Sequence, residues 1–122
     1  LKGDIVVPRL LLDSGVLFDP GLFALKPRAK AEFARVAEFV QLFTPAKLVI
    51  EGHTDSDGED TANFRLSEQR AGEIRQYLIN NYAFISAAMI EAKGFGESRP
   101  LVKNDTPENK ALNRRIEVIV WE

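Results

Sequence analysis

Three polar clusters in this 122-residue chain hold the side chains that could do chemistry. The first is Gly52-His53-Thr54-Asp55-Ser56-Asp57-Gly58, directly after the apolar run Lys47 to Glu51. Loops at strand ends in α/β sheets are common ligand sites, although a solvated turn would look the same. The second is Asn63, Ser67 and Arg70. On a helix, seven residues turn through nearly two full revolutions, so Asn63 and Arg70 fall within about 20° of each other with Ser67 between them. That stripe reads either as a binding edge beside the apolar row or as a solvated helix face. The third is Asn113-Arg114-Arg115, which could be a basic contact or an exposed flank on an edge strand.

Metal chemistry fits these residues poorly. His53, Asp55, Asp57, Glu59 and Asp60 are ligand types in a short span. A calcium loop wants acids at positions 1, 3 and 5, glycine at 6 and glutamate at 12. Counting from Asp55, glycine falls at Gly58, two places early, and Leu66 stands where the glutamate belongs. Zinc sites draw mostly on several His or Cys side chains, and this chain has one His and no Cys. A Ser-His-Asp triad could be drawn from His53, Asp55 and Ser56 or Ser67, but groups so close in one loop rarely assemble that geometry. The expectation is a non-enzyme with no metal and no cofactor, in which His53 locks its loop through a hydrogen bond.

The elements that must position these clusters follow from periodicity. Ile5 to Leu12 reads as a first strand, with Pro8 marking a sheet edge. Asp13-Ser14-Gly15 breaks it, and Asp19-Pro20-Gly21 is a strong turn signal. Pro27 to Phe43 is helical, with Ala29, Phe33, Val36, Ala37 and Val40 at three- and four-residue spacing. Lys47 to Glu51 is a short buried strand, and Gly52 to Asp60 a loop. Asp60 or Thr61 caps a second helix reaching about Asn81, whose inner side carries Leu66, Ile74 and Leu78. Ile90 to Phe95 is a third strand and Thr106 to Leu112 a helical turn. In the last strand Ile116, Val118 and Val120 make one apolar face. The order predicts an α/β two-layer sandwich, a small mixed β-sheet with helices packed mainly on one face. We expect one domain over residues 1–122, with 1–15 as first strand and lead-in.

Bulk composition bounds the function. The chain is 45% hydrophobic and 28% charged, ordinary for a globular domain. Sixteen basic against eighteen acidic residues leave a net charge of −2, which argues against a nucleic-acid binder. No segment approaches the roughly 18 apolar residues that span a bilayer. Residue 1 is Leu, so a fragment or mature product is expected, with any membrane tether in parts not present here.

Together the motifs Gly-His-Thr-Asp, Asn-x-x-Leu-Ser-x-x-Arg-Ala, Gly-x-Gly-x-x-x-Pro and Asn-Arg-Arg resemble the OmpA-like C-terminal domain shared by OmpA, Pal and MotB proteins. The likeness runs from Val16-Leu17-Phe18-Asp19 to the end of the chain. It implies non-covalent binding of peptidoglycan through the meso-diaminopimelate residue of the stem peptide, in the periplasm of a Gram-negative cell, anchoring a membrane-attached parent protein to the wall. It maps the family's key acid onto Asp55 and its key base onto Arg70. Asn63, Thr54 and Arg114 match further ligand-contacting positions, with Asn113, Ser67, Asp19 and Gly21 in support. The free end of diaminopimelate is a small zwitterion. An ionised Asp accepts from its ammonium, and the planar Arg fork suits its carboxylate. One departure stands out: where family members often carry polar side chains after Phe-Asp, this chain has Pro20 and Gly21, of which Gly21 keeps only its backbone N–H. The competing expectation is therefore a protein-interaction domain on the same fold with a degenerate wall site. A homo-oligomer is compatible with either.

Overall fold

The computed structural model describes residues 8–43 and 47–121. Its elements, in chain order, are β1 (Arg9–Asp13), α1 (Ser14–Leu17), α2 (Ala29–Gln41), β2 (Lys47–His53), α3 (Asp60–Asn81), a 3₁₀ turn (Ala87–Met89), β3 (Ile90–Gly94), α4 (Pro107–Asn113) and β4 (Arg115–Trp121). The strands form one mixed sheet in the order β1-β4-β2-β3. β4 runs antiparallel to both β1 and β2, and β2 and β3 are parallel.

The register decides the faces. Leu48, Ile50 and Gly52 on β2 sit opposite Val120, Val118 and Ile116 on β4 and share one face with Leu10 and Leu12. On that face α2 buries Ala29, Phe33, Val36 and Val40, and α3 buries Ala71, Ile74 and Leu78, closing a single core. This is the two-layer α/β sandwich that the periodicity predicted. α4 is capped as its sequence requires, the Thr106 hydroxyl accepting from Asn109 N at 3.0 Å with Pro107 in the first turn.

Several local expectations are corrected. Of the proposed first strand, 5–7 lie outside the described residues, and the strand starts at Arg9. Asp13 to Gly15 does not end in irregular chain. The Asp13 carboxylate accepts from Gly15 N at 2.8 Å and starts the single turn α1. Gly52 and His53 belong to β2 rather than to the loop, because β4 continues to pair with them. Glu59, not Asp60 or Thr61, is the N-cap of α3, and it makes no side-chain cap bond. Arg115 is not an exposed flank: β4 is a central strand, and Arg115 and Glu117 are buried on the face opposite the helices.

α3 lies unusually close to the sheet. A Cβ built on Gly52 would stand 2.4 Å from the Ser67 carbonyl oxygen, and one on Gly94 would stand 2.3 Å from Glu68 N. Gly52 and Gly94 are register partners on adjacent parallel strands, so together they form a flat floor for the first half of α3. No side chain fits between the two backbones, which explains glycine at both positions.

Candidate functional site

Beyond His53 the chain leaves the sheet and is held at once. Thr54 N donates to Gly96 O at 2.9 Å, and the Thr54 hydroxyl donates to Asp55 O at 2.8 Å. Asp55 follows, 7% exposed. Its Oδ1 accepts from Asp57 N at 3.0 Å, the local bond that makes aspartate a turn-forming residue. Its Oδ2 accepts from Arg114 Nη1 at 2.5 Å. Asn63, one turn into α3, donates to Asp57 O at 2.8 Å and pins the loop to the helix. The carboxylate is thus fixed in place with lone pairs remaining on both oxygens.

Arg70 approaches from the other wall. The buried row of α3 reads Ser67, Arg70, Ala71, Ile74, Leu78, so Ser67 and Arg70 of the polar stripe lie within the buried face, with Asn63 half-buried at its edge. Arg70 is 7% exposed, with its guanidinium 4.8 Å from the centroid of the Phe18 ring. Nε donates to Leu22 O at 2.8 Å and Nη2 to Asp19 O at 3.1 Å. Those carbonyls are aimed by a tight turn: Leu22 N donates back to Asp19 O at 3.1 Å, and Gly21 has φ +73°. Proline followed by a positive-φ glycine is the preferred pair for a type II turn. Pro20-Gly21, the departure from the family pattern, therefore builds the seat for Arg70. Burial pushes the Arg70 pKa below the ordinary arginine value, the mark of a desolvated cation.

Thr54, Asp55, Asn63, Arg70, Arg114, Asp19 and Gly21 all line one cavity of about 560 Å³. Two other sequence-selected residues stand behind it. Ser67 accepts from Gly96 N at 2.9 Å and donates to Phe64 O at 2.8 Å, joining α3 to the chain after β3. Asn113, fully buried, accepts from Leu101 N and Val102 N at 2.7 and 3.1 Å and donates to Val102 O and Asn104 Oδ1, both at 2.8 Å. It folds the preceding loop against α4, next to Arg114. Lys26 also lines the cavity, together with Asp57 and Leu66. Sequence reasoning missed Lys26, because a single lysine before a proline ahead of α2 carries no spacing signal.

The charges of the cavity are mostly paired. Asp55 is paired with Arg114, Asp57 with Lys110 at 3.1 Å, and Asp19 loosely with Lys26 at 3.7 Å. Arg70 has only the two carbonyls and no carboxylate partner among the described residues. A buried cation facing an open cavity makes a site for an anion, while Asp55 offers acceptor capacity nearby.

His53 lies elsewhere. It points to the sheet face opposite α3, with Nε2 3.2 Å from Glu51 Oε1 and its ring stacked on Phe95 at 5.4 Å between centroids. The loop-locking bond expected of it is absent from the described contacts; backbone and Asn63 bonds hold the loop instead. Glu51, His53 and Glu117 bring one ligand-type atom each to within 4.8 Å of one another. That set is better suited to an ion-pair network than to a metal. Arg115 Nε donates to Glu117 Oε2 at 2.6 Å, and Arg9 pairs with the other oxygen. Both cations oppose a further positive charge. His53 Nδ1 is buried without a partner among the described residues, whereas a metal-bound imidazole ordinarily donates its second N–H. Burial and then the Arg115 charge lower the His53 pKa, outweighing the hydrogen bond to Glu51. Burial alone would raise the Glu117 pKa, but its hydrogen bond to Arg115 and that residue's charge bring it below the ordinary glutamate value.

Fold and site together define a two-layer α/β domain whose charged pocket lies beyond the carboxyl end of β2, a common position for ligand sites in such sheets. The chain belongs to the OmpA family, whose model matches residues 17–114. Among its relatives is outer membrane porin F of Pseudomonas aeruginosa, 40% identical over 114 residues, covering 93% of this chain and 32% of the porin. The outer-membrane lipoprotein YfiB of the same organism is 34% identical over 89% of this chain and 64% of its own length. This chain spans about a third of the length of the first curated relatives it matches. Among solved structures, a MotB-like protein from Desulfovibrio vulgaris superposes with a TM-score of 0.82 at 30% identity, over 95% of this chain and 76% of that one. The fold is shared with the peptidoglycan-associated lipoprotein of Burkholderia pseudomallei, with a TM-score of 0.70 at 24% identity over 88% of each chain.

Proposed function

We propose that this domain binds peptidoglycan non-covalently through the diaminopimelate residue of the stem peptide and so ties its parent protein to the wall. One observation carries the reading: a fixed carboxylate, Asp55, and a desolvated guanidinium without a carboxylate partner among the described residues, Arg70, line the same open cavity. A zwitterionic amino-acid end complements that pair: its carboxylate meets Arg70 and its ammonium the spare lone pairs of Asp55. Thr54, Asn63 and Arg114 line the same cavity and complete the ligand-contacting set. The names of relatives agree with this role, one being a peptidoglycan-associated lipoprotein and another the cell wall anchor of a type VI secretion system. The site is read as binding rather than catalytic, since the single histidine lies on the opposite face of the sheet. The same relatives support a periplasmic setting, with any membrane attachment made by other parts of the parent protein. No helix among the described residues is long and apolar enough to cross a membrane.

The test is a sacculus pull-down with purified domain. Asp55→Ala and Arg70→Ala are each expected to lower binding at least tenfold, since a charge-assisted bond contributes about 1.5–3 kcal/mol. Circular dichroism checks that both variants remain folded. Undiminished binding by the two folded variants removes the pocket from consideration. Lysine-type stems lack the second carboxylate and are expected to bind more weakly than diaminopimelate-type stems; equal binding to the two would remove diaminopimelate recognition.

A further inference from the structure

Lys26 lies in the pocket without a role in the reading above. Its backbone is fixed twice: Lys26 N donates to Leu17 O at 2.8 Å, and the preceding Leu25 bridges to Phe18. Its side chain is held far less firmly. Nζ donates to Gly15 O at 3.3 Å and stands 3.7 Å from Asp19 Oδ1, outside hydrogen-bond range of a carboxylate that is 62% exposed. Exposed, imperfect ion pairs contribute little, so the ammonium can change partners at small cost. The lysine side chain is itself only 23% exposed, turned toward the cavity rather than into bulk solvent.

Asp19 sets the spacing. Its carbonyl receives Arg70 Nη2 and its carboxylate faces Lys26. Two cations therefore flank one residue on the same wall, one at its carbonyl and one at its carboxylate. A cavity of about 560 Å³ also exceeds what a single amino-acid head group fills.

We propose that Lys26 is a specificity-determining residue that takes a second carboxylate of the ligand, beside the zwitterionic end clasped by Asp55 and Arg70. The pocket then selects stem peptides whose neighbouring acidic residue keeps its carboxylate free over those in which that carboxylate is amidated. This rests on the wall-binding reading, and the two fail differently. Asp19 is displaced from Lys26 when the second carboxylate arrives and turns toward solvent.

The experiment is calorimetric titration of the domain with two synthetic tripeptides, alanyl-γ-glutamyl-diaminopimelate and the same peptide amidated at the free glutamyl carboxylate. Wild type is expected to prefer the free acid by about tenfold, the worth of one charge-assisted bond. Lys26→Gln is expected to reduce that preference below about twofold by weakening only the free-acid complex, and Lys26→Arg to retain it. Binding of both peptides with equal affinity by wild type overturns the role of Lys26 and leaves wall binding standing. Equal weakening of both complexes in Lys26→Gln overturns it too, since that is the signature of a merely structural contact with Gly15 and Asp19. Binding of neither peptide by wild type removes both proposals.

Discussion

Replacing Gly52 by alanine puts a methyl carbon 2.4 Å from the Ser67 carbonyl oxygen, 3.1 Å from its carbonyl carbon and 3.2 Å from its Cα. All three are backbone atoms, so no rotamer change relieves the contact. Carbon and carbonyl oxygen settle at about 3.3–3.6 Å, so α3 must withdraw by about 1 Å at this crossing. Overpacking of this kind costs about 1–3 kcal/mol. The same withdrawal stretches the 2.9 Å bond from Gly96 N to Ser67 Oγ, with about 1 kcal/mol more at stake. We expect Gly52→Ala to lose about 3 kcal/mol of unfolding free energy in urea denaturation at unchanged m-value. Arg70 lies one turn beyond Ser67, and its bonds to Leu22 O and Asp19 O at 2.8 and 3.1 Å move with the helix. Ligand affinity is therefore expected to fall at least tenfold in the variant molecules that remain folded, measured by calorimetry well below the transition. A stability within about 0.5 kcal/mol of wild type would refute the claim that close backbone packing of α3 on β2 sets the position of Arg70.

Further outcomes follow from the same geometry. The His53 pKa is lowered by folding from its ordinary 6.5. The folded state thus binds fewer protons than the unfolded one as pH falls below that value, so stability is fully present above pH about 6.5 and declines beneath it. Urea titrations between pH 7.5 and 5.5 should show this slope in wild type and a shallower one in His53→Gln. Asn113→Ala leaves Leu101 N and Val102 N without their acceptor and is expected to cost about 2–4 kcal/mol by chemical denaturation. Arg114→Ala removes a side chain that is 45% exposed, so stability should change by less than about 1 kcal/mol while ligand binding weakens severalfold in titration. Thr106→Ala should cost about 1 kcal/mol through loss of the α4 cap, read in the same denaturation assay.

Much of the frame was legible in the residues. Helical spacing identified α2 and α3, and the alternation of Ile116, Val118 and Val120 identified the inner face of β4. These signals are local, because a helix or strand with one apolar side must bury that side. Asp19-Pro20-Gly21 was legible as a turn for a similar reason. Its purpose was not legible, since only the fold brings Arg70, 48 residues away from Leu22, against its carbonyls.

What the chain alone determined, then, is the inventory: two amphipathic helices, four strands, and acids and bases whose motif spacing matches a known family. What only the tertiary structure decided is which charges meet. Asp55 found Arg114 rather than Arg115, because alternate residues entering β4 face opposite sides of the sheet, sending Arg115 to Glu117 on the far face. Lys26 joined the pocket, and His53 left it, on the strength of long-range pairing in β4 and α1. Electrostatic partners are chosen by distance in space, and no local period in the sequence encodes that distance.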